Sequence, residues 1–237
     1  MMAAAVRDTS VVRLLRAARV VFWDFDGVIK DSVEVKSLGF EKLFAPYGRE
    51  LAGRVRAHHE AHGGMSRYQK IPLYLGWAGE PDTAARVQEF CDRFAQLVRQ
   101  AVIDSPWVPG VREYLQNNCG QQIFVLVTAT PQEEIQEILQ TLGMAPCFEQ
   151  VCGAPTEKAA AVAAALQRLQ CAPEHAVVVG DSEAELRAAA ASGVVFLLRR
   201  TALNQGLQRT CSGPMFDNLS VTHEQTNQNS TDPRPAA

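Results

Sequence analysis

The chain has 237 residues and a net charge of −3, so its surface is not strongly basic or acidic. A charge this small argues against a general nucleic-acid or membrane surface. The sequence shows no bilayer-spanning apolar run and no secretory signal pattern, which leads us to expect a cytoplasmic protein. Its six cysteines include no Cys-x-x-Cys pair, which argues against a disulfide framework or a zinc ribbon.

The N-terminal part of the chain predicts a short amphipathic helix over residues 1–19, followed by a strand. That strand, Val20–Trp23, is an unbroken apolar run, which is typical of a strand buried on both faces of a parallel sheet. Residues i and i+2 of an extended chain point the same way, so Asp24 and Asp26 are predicted to share one site. The carboxyl end of a strand is also the edge where open α/β sheets bind ligands.

Residues 32–105 read as helix throughout. The longest helix is predicted to begin after Pro81-Asp82, and a third helix near Ser66 is expected to be bent or interrupted at Ile71-Pro72. This segment separates the first strand from the strands that follow. We therefore predict that it is an inserted helical lobe.

From Val108 the pattern changes to alternating helices and strands. Three strong strands are predicted over residues 123–127, 176–179 and 194–198, with a weaker one over 148–152. Thr130-Pro131-Gln132-Glu133 predicts a helix start with Thr130 and Glu133 as a capping box.

This alternation predicts the fold class, a three-layer α/β core with a Rossmann-like parallel sheet. The core is assigned to residues 1–31 and 106–219, with the inserted α-helical lobe over 32–105. Residues 220–237 are rich in Asn, Gln, Ser and Thr, and we predict that they are disordered.

Further polar residues are predicted at the same edge of the sheet as the aspartate pair. Thr128 follows the strand over 123–127, Asp181 follows the strand over 176–179 and its Gly180, and Lys158 lies in the first turn of a helix. Taken singly, a strand-ending Thr, a helix-capping Asp and a solvated Lys are all common. Their order along the chain is what carries information.

In that order the residues resemble the haloacid dehalogenase (HAD) superfamily. The motifs are Asp-x-Asp-Gly at residues 24–27, then Thr128, then Lys158, then Gly180-Asp181 with Glu185 four residues later. The resemblance is to the phosphoglycolate phosphatase-like group with a helical cap. It implies a Mg²⁺-dependent phosphatase for a small phosphorylated metabolite, with the helical lobe as the cap and with no nucleic-acid or membrane partner.

The resemblance also implies catalytic roles. Asp24 would attack phosphorus and form an aspartyl-phosphate, and Asp26 would protonate the leaving oxygen and then activate water. Lys158, the Thr128 hydroxyl and the Ala129 amide would hold the transition-state charge.

The implied Mg²⁺ ligands are the Asp24 side chain, the Asp26 backbone carbonyl and the Asp181 side chain. Glu185 would support this set rather than coordinate directly. Many relatives carry Asp at that position, so the contact of the longer Glu side chain is left open.

The cap segment 58–70 is the most polar and cationic part of the lobe. Gly63-Gly64 would let its loop bend toward the catalytic edge, and Arg67 and Lys70 are candidates to bind an anionic group on the substrate. A solvated loop between helices is the equal alternative. His58 and His62 have i, i+4 spacing without a carboxylate in register, so we predict no zinc site.

Other interpretations of the sequence remain open. A sugar phosphomutase of the β-phosphoglucomutase kind would use the same residues, and a non-catalytic binding protein could use the same fold. Dehalogenation is disfavoured because it gives Asp26 and the metal ligands no role. Phosphonate hydrolysis, disfavoured as well, would require a Schiff-base lysine such as Lys36, Lys42 or Lys70. Lys30 is interpreted as a solvated hinge residue in preference to one that reaches the site entrance.

Overall fold

The computed structural model describes residues 9–220. Its helices are α1 (Thr9–Ala17), α2 (Val33–Phe44), α3 (Arg49–Ala61), α4 (Arg67–Trp77), α5 (Ala84–Asp104), α6 (Val111–Asn118), α7 (Gln132–Thr141), α8 (Lys158–Arg168), α9 (Glu183–Ala191) and α10 (Gln205–Thr210). Its strands are β1 (Val20–Trp23), β2 (Ile123–Pro131), β3 (Gln150–Ala154), β4 (Ala176–Gly180), β5 (Val195–Arg199) and β6 (Met215–Phe216). Three short 3₁₀ segments complete the regular structure: Ala45–Tyr47, Ala145–Cys147 and Pro173–His175.

The six strands form one parallel sheet in the order β3-β2-β1-β4-β5-β6. The predicted α/β fold class is therefore confirmed. Strand β1 lies at the centre, and its last residue, Trp23, is in register with Leu126 on β2 and Val179 on β4. Because the strands run the same way, the residues that follow β1 and β4 emerge together at one edge of the sheet.

Helices cover both faces of the sheet because successive residues of each strand point to opposite sides. Val21 and Trp23 pack with apolar residues of α1, α6 and α7, while Val20 and Phe22 pack with those of α8 and α9. The predicted lead-in helix is present as α1, whose Val11 is buried against the sheet.

Helices α2–α5 follow β1 and precede β2 along the chain. They pack on one another around stacked aromatic rings. The rings of Phe40 and Phe94 are 3.9 Å apart, and Tyr74 meets Phe40 edge-on at 5.6 Å. Of the bend or interruption predicted at Ile71-Pro72, the interruption is wrong, since α4 continues through Pro72. A bend there stays a prediction. These helices occupy the segment predicted as an inserted lobe over 32–105. The division between lobe and core and the action of the lobe as a cap stay predictions.

No helix within residues 9–220 combines the length and the apolar character needed to cross a bilayer. The predicted disordered tail lies outside the described residues from residue 221 onward.

Candidate active site

Asp24 and Lys158 form a buried ion pair where the first strand ends. The Nζ atom of Lys158, the first residue of α8, lies 2.9 Å from Oδ1 of Asp24 and also contacts Oε1 of Glu185. Burial raises the pKa of Asp24 to about 7, and the attraction of Lys158 only partly opposes this shift. Burial acts in the opposite direction on Lys158, but its two carboxylate partners outweigh it and raise the pKa of the lysine.

Asp181 completes a group of three carboxyl side chains at this edge. One oxygen from each of Asp24, Asp181 and Glu185 lies within 4.8 Å of the other two. Burial, reinforced by Glu185 and Asp24, raises the pKa of Asp181 well above its usual value. The close approach of Asp181 to the turn after Asp26 depends on Gly27, whose φ is +76°. A Cβ at this position would overlap the Asp181 carboxylate.

This acidic group fits a divalent cation of the Mg²⁺ type. Oxygen ligands are what Mg²⁺ prefers, and a bound cation would relieve the repulsion that burial imposes on the carboxylates. Glu185 is already engaged, because its Oε2 accepts hydrogen bonds from the Ser182 amide at 3.0 Å and the Ser182 hydroxyl at 2.6 Å. Asp24 and Asp181 are thus the side chains better placed to hold an ion.

Asp26 is held by three donors that the sequence did not reveal. Its Oδ1 accepts from the Ser32 hydroxyl at 2.6 Å, and its Oδ2 accepts from the Thr130 hydroxyl at 3.1 Å and from Lys36. Burial would raise the pKa of Asp26, but Lys36 and the two hydroxyl groups outweigh it and lower the pKa. The carboxylate is therefore ionised in this arrangement.

Thr130 does not form the predicted capping box. It belongs to β2, which extends to Pro131, and α7 begins at Gln132 without a side-chain cap. The Thr130 hydroxyl bonds instead to Asp26, so a tertiary contact replaces the local one. Lys36 follows Ser32 by one helical turn, and this i, i+4 spacing is the signal that could have identified the pair.

Thr128 and Ala129 lie further back on β2, near the same edge. Thr128 is buried, and its Oγ1 accepts a hydrogen bond from the Thr130 amide at 3.2 Å. Their predicted roles toward a transferring phosphoryl group stay predictions.

Lys30 lies at the hinge between lobe and core, as predicted, but it is not solvated. Its Nζ donates to the Ile103 carbonyl at 2.9 Å, near the C-terminus of α5, and lies 4.6 Å from the Trp107 ring. A helix C-terminus carries partial negative charge, which gives the buried ammonium a partner. Lys30 therefore connects the two chain segments that join the lobe to the core.

The structure gives Arg67 a different partner from the anionic substrate group that was predicted. Its two terminal nitrogens each donate to one oxygen of Glu134 at 2.7 Å, and both side chains are buried. Arg67 belongs to α4 in the lobe and Glu134 to α7 in the core. This bidentate pair fixes the lobe to the core and leaves the fork of the guanidinium occupied.

We expect Glu134→Gln to lower the free energy of unfolding by about 3–5 kcal/mol, because it leaves Arg67 buried without a counter-charge. The matched control is Glu137→Gln, also on α7, whose partner Arg99 is exposed. That pair should contribute less than about 1 kcal/mol. Urea denaturation of both variants measures the difference, and equal losses would contradict a special role for the buried pair.

The Gly63-Gly64 loop reaches the catalytic edge, as predicted. A Cβ on Gly64 would lie 2.5 Å from the Ser182 hydroxyl and closer still to the Ala184 methyl. Before this loop, the rings of His58 and His62 are stacked 4.1 Å apart, and His58 bonds to the Tyr74 hydroxyl at 2.9 Å. Lys70 is fully buried beneath the same part of the lobe.

A family model described as haloacid dehalogenase-like hydrolase matches residues 18–193, about three quarters of the sequence. The chain belongs to this family. The predicted HAD membership is thus confirmed, and the matched span contains all four motifs that carried the resemblance.

Curated relatives of this HAD hydrolase include phosphatases of small molecules. A phosphoglycolate phosphatase of Pseudomonas putida is 28% identical over 186 residues, which cover 74% of this chain and 67% of the relative. A phosphorylated carbohydrates phosphatase of Thermotoga maritima is 26% identical over 187 residues, which cover 73% of this chain and 81% of the relative.

Solved structures share the fold of this chain. CbbY from Rhodobacter sphaeroides, in complex with phosphate, superposes with a TM-score of 0.69 at 16% identity, covering 85% of this chain and 95% of its own. A haloacid dehalogenase-like hydrolase from Streptococcus pneumoniae gives a TM-score of 0.62 at 18% identity, and the match covers 84% of this chain and 93% of the other.

Proposed function

We propose that this HAD hydrolase is a Mg²⁺-dependent phosphatase that acts on a small phosphorylated metabolite through an aspartyl-phosphate on Asp24. The observation that carries the proposal is the meeting of Asp24 with Lys158 and Asp181 at the carboxyl edge of the sheet. The Asp24 carboxylate there has the Lys158 ammonium group beside it and the carboxyl group of Asp181, with which it could hold a metal ion. That is what an anionic nucleophile needs to approach an anionic phosphate ester.

In the proposed reaction, an oxygen of Asp24 forms a bond to phosphorus while the bond to the leaving oxygen breaks. For the first step Asp26 must be protonated, and it then delivers that proton to the leaving oxygen. The carboxylate that remains takes a proton from the water that hydrolyses the aspartyl-phosphate, which regenerates Asp24 and the protonated Asp26. The lowered pKa of Asp26 favours its ionised form, which suits the second of these steps. Lys158, the Thr128 hydroxyl and the Ala129 amide stabilise the negative charge of the transferring group.

The carboxylates of Asp24 and Asp181, with the backbone carbonyl of Asp26, would hold the Mg²⁺. When bound, the ion would offset the repulsion between the nucleophile and the phosphate. Glu185 supports the site by holding Lys158 and the Ser182 turn. The names of the curated relatives make phosphoglycolate the first substrate to test, followed by sugar phosphates.

Purified protein with Mg²⁺ is expected to release inorganic phosphate from acetyl phosphate and p-nitrophenyl phosphate, and excess EDTA should stop the release. Mg²⁺ should also raise the melting temperature of the wild type, because a ligand that binds only the folded state stabilises it. Asp181→Asn should abolish that shift, whereas Asp92→Asn, on the exposed face of α5, should preserve it.

Product analysis separates the proposal from its alternatives. An isomerised sugar phosphate in place of free phosphate would identify a phosphomutase. A complete lack of turnover across a panel of phosphorylated metabolites, with the metal-induced shift retained, would favour a non-catalytic binding protein.

A further inference from the structure

Asn204, in the loop between β5 and α10, holds the backbone of Asp181. Its Nδ2 donates to the backbone carbonyl of Asp181 at 2.7 Å and to that of Arg199 at 2.8 Å. Its Oδ1 accepts from the Thr201 amide at 2.9 Å and from Nε2 of Gln208 at 2.6 Å. Because a backbone N–H only donates and a carbonyl only accepts, these partners fix which way the side-chain amide faces.

This orientation is not the one that the position of Asn204 favours locally. Asn204 directly precedes α10, where an asparagine side chain usually accepts a hydrogen bond from a backbone amide of the first turn. Within residues 9–220, its side chain makes no such bond to α10. The loss of a side-chain cap costs a helix about 1 kcal/mol. The tertiary contacts of Asn204 therefore outweigh its local role.

Arg199, the last residue of β5, holds the other turn of the site. In the strand order β1-β4-β5, strand β4 separates Arg199 from the turn that follows β1. The side chain reaches past the end of β4, and its Nη1 donates to the Gly27 carbonyl at 3.1 Å and to Oδ1 of Asp31 at 3.3 Å. Gly27 directly follows Asp26, whose carbonyl is one of the proposed Mg²⁺ ligands. Since Asn204 also bonds to the Arg199 carbonyl, the two contacts are joined, and we call Arg199 and Asn204 the brace.

The two turns that the brace holds are pushed apart by the carboxyl groups that they carry. One oxygen from each of Asp24, Asp181 and Glu185 lies within 4.8 Å of the other two, and ionised carboxylates at such distances repel. Gly27 lies directly against the Asp181 carboxylate, so movement of one turn affects the other. A site binds its ion more tightly when surrounding hydrogen bonds hold the ligands in place.

We propose that Asn204 and Arg199 are positioning residues that hold Asp181 and the Asp26-Gly27 turn in place for Mg²⁺. This inference rests on the metal site of the proposed function and assigns part of its affinity to residues that do not touch the ion. Asn204 acts through the Asp181 backbone, and Arg199 acts through the Gly27 carbonyl. Residues that orient the ligands of a metal contribute about 10–100-fold to its affinity.

Asn204→Asp and Arg199→Met test the brace, because each removes the hydrogen-bond donors of one member. Each also makes the surroundings of the acidic group more negative by one charge. Attraction between charges would therefore tighten Mg²⁺ binding, whereas loss of the brace should weaken it. We expect the Kd for Mg²⁺, measured by calorimetry, to rise at least about tenfold in each variant. Phosphate release should recover at saturating Mg²⁺, because ion binding is impaired and the reacting groups are intact.

The matched controls are Arg200→Met and Asn118→Asp, which make the same chemical changes. Arg200 bonds to Asp217, and the Asn118 amide donates to the Tyr114 carbonyl at 2.7 Å on α6. Both variants should keep the wild-type Kd. Asn204→Leu removes the same donors as Asn204→Asp without adding a charge, and it should also weaken Mg²⁺ binding.

Mg²⁺ affinity equal to or higher than that of the wild type in Asn204→Asp and Arg199→Met would overturn the inference and leave the metal site intact. A wild type that binds no Mg²⁺ would refute the proposed metal site, and the brace with it. A lower melting temperature without Mg²⁺, combined with an unchanged Kd, would show that the brace supports only the fold, and this result would also overturn the inference.

Discussion

Asp24→Asn is expected to reduce phosphate release by at least about 10³-fold, since an amide oxygen cannot replace the carboxylate as nucleophile. Asparagine has nearly the same shape as aspartate, and its Oδ1 can still accept a hydrogen bond from Lys158. In the wild type the Lys158 Nζ lies 2.9 Å from the Asp24 Oδ1. Steady-state assays with acetyl phosphate and phosphoglycolate measure the loss. Rates equal to those of the wild type would exclude an aspartyl-phosphate on this residue.

The same variant should fold at least as stably as the wild type in the absence of metal. Burial raises the pKa of Asp24 from 3.8 to about 7, so the folded protein binds this proton more tightly than the unfolded chain does. The contribution of Asp24 to stability is therefore present below pH 3.8 and is lost as the pH rises to about 7. Asparagine does not titrate, so the wild type should lose melting temperature over this range relative to Asp24→Asn.

Asp92→Asn serves as the control for both measurements, because it makes the same chemical change on an exposed helix face. It should leave the activity and its pH dependence unchanged. A variant of Asp24 that melts far below the wild type at neutral pH would show that the carboxylate supports the fold, and its activity loss could not then be assigned to chemistry.

The α/β core could be predicted from the sequence because its signals are local. Buried parallel strands are continuous apolar runs, and the run at Val20–Trp23 needs no tertiary information to be recognised. The strand order was not predicted, since right-handed crossovers restrict the topology without specifying which strands are neighbours. The end of β2 could not be predicted either, because the strand extends to Pro131 through its pairing with β3.

The residues at strand ends could also be predicted, because parallel strands place their carboxyl ends at one edge. This rule correctly brought Asp24 together with Asp181 and Lys158. The partners of Asp26 could not be predicted in this way. The i, i+4 spacing places Ser32 and Lys36 on the same side of the start of α2 but does not name Asp26 as their partner. Lys36 and Thr130 meet at this carboxylate through a tertiary contact, in which the Lys36 Nζ lies 2.8 Å from the Thr130 hydroxyl.

The partners of two buried basic side chains, one in the lobe and one at its junction with the core, were the least predictable. Arg67 finds Glu134, 67 residues away, and Lys30 finds a backbone carbonyl at the end of α5. A lysine or arginine in an exposed-looking pattern is usually solvated. Burial of these two depends on a specific acceptor elsewhere in the fold, which composition and periodicity do not show.

Gly64 is where the loop of the lobe touches the core, and a larger residue at this position is expected to have a large effect on activity. Gly64 lies against Ser182 and Ala184, directly after Asp181, and leaves no space for a Cβ. Its backbone is not in the left-handed region, so a larger residue is compatible with the loop itself. The conflict therefore lies between the loop and the core, not within the loop.

Gly64→Val is expected to lower kcat/KM for phosphoglycolate by about 100-fold, because a valine side chain would displace Ser182 and Ala184, next to Asp181, and would oppose the predicted closing of the lobe. Gly64→Ala should be intermediate. Gly53→Val, at an exposed position of α3 with no atom within 4 Å of its Cβ, is the matched control and should retain the wild-type rate. Steady-state kinetics of the three variants checks this order.

Hydrogen exchange distinguishes an open lobe from a damaged one. The Ala184 amide donates to the Ser182 hydroxyl at 3.2 Å beneath the Gly64 loop, so it should exchange faster in Gly64→Val. Amides in the centre of the sheet, such as those of β1, should keep their protection, because the core does not depend on this contact. Full activity with unchanged exchange at Ala184 would show that the loop moves aside freely and that catalysis does not require the lobe to close at this point.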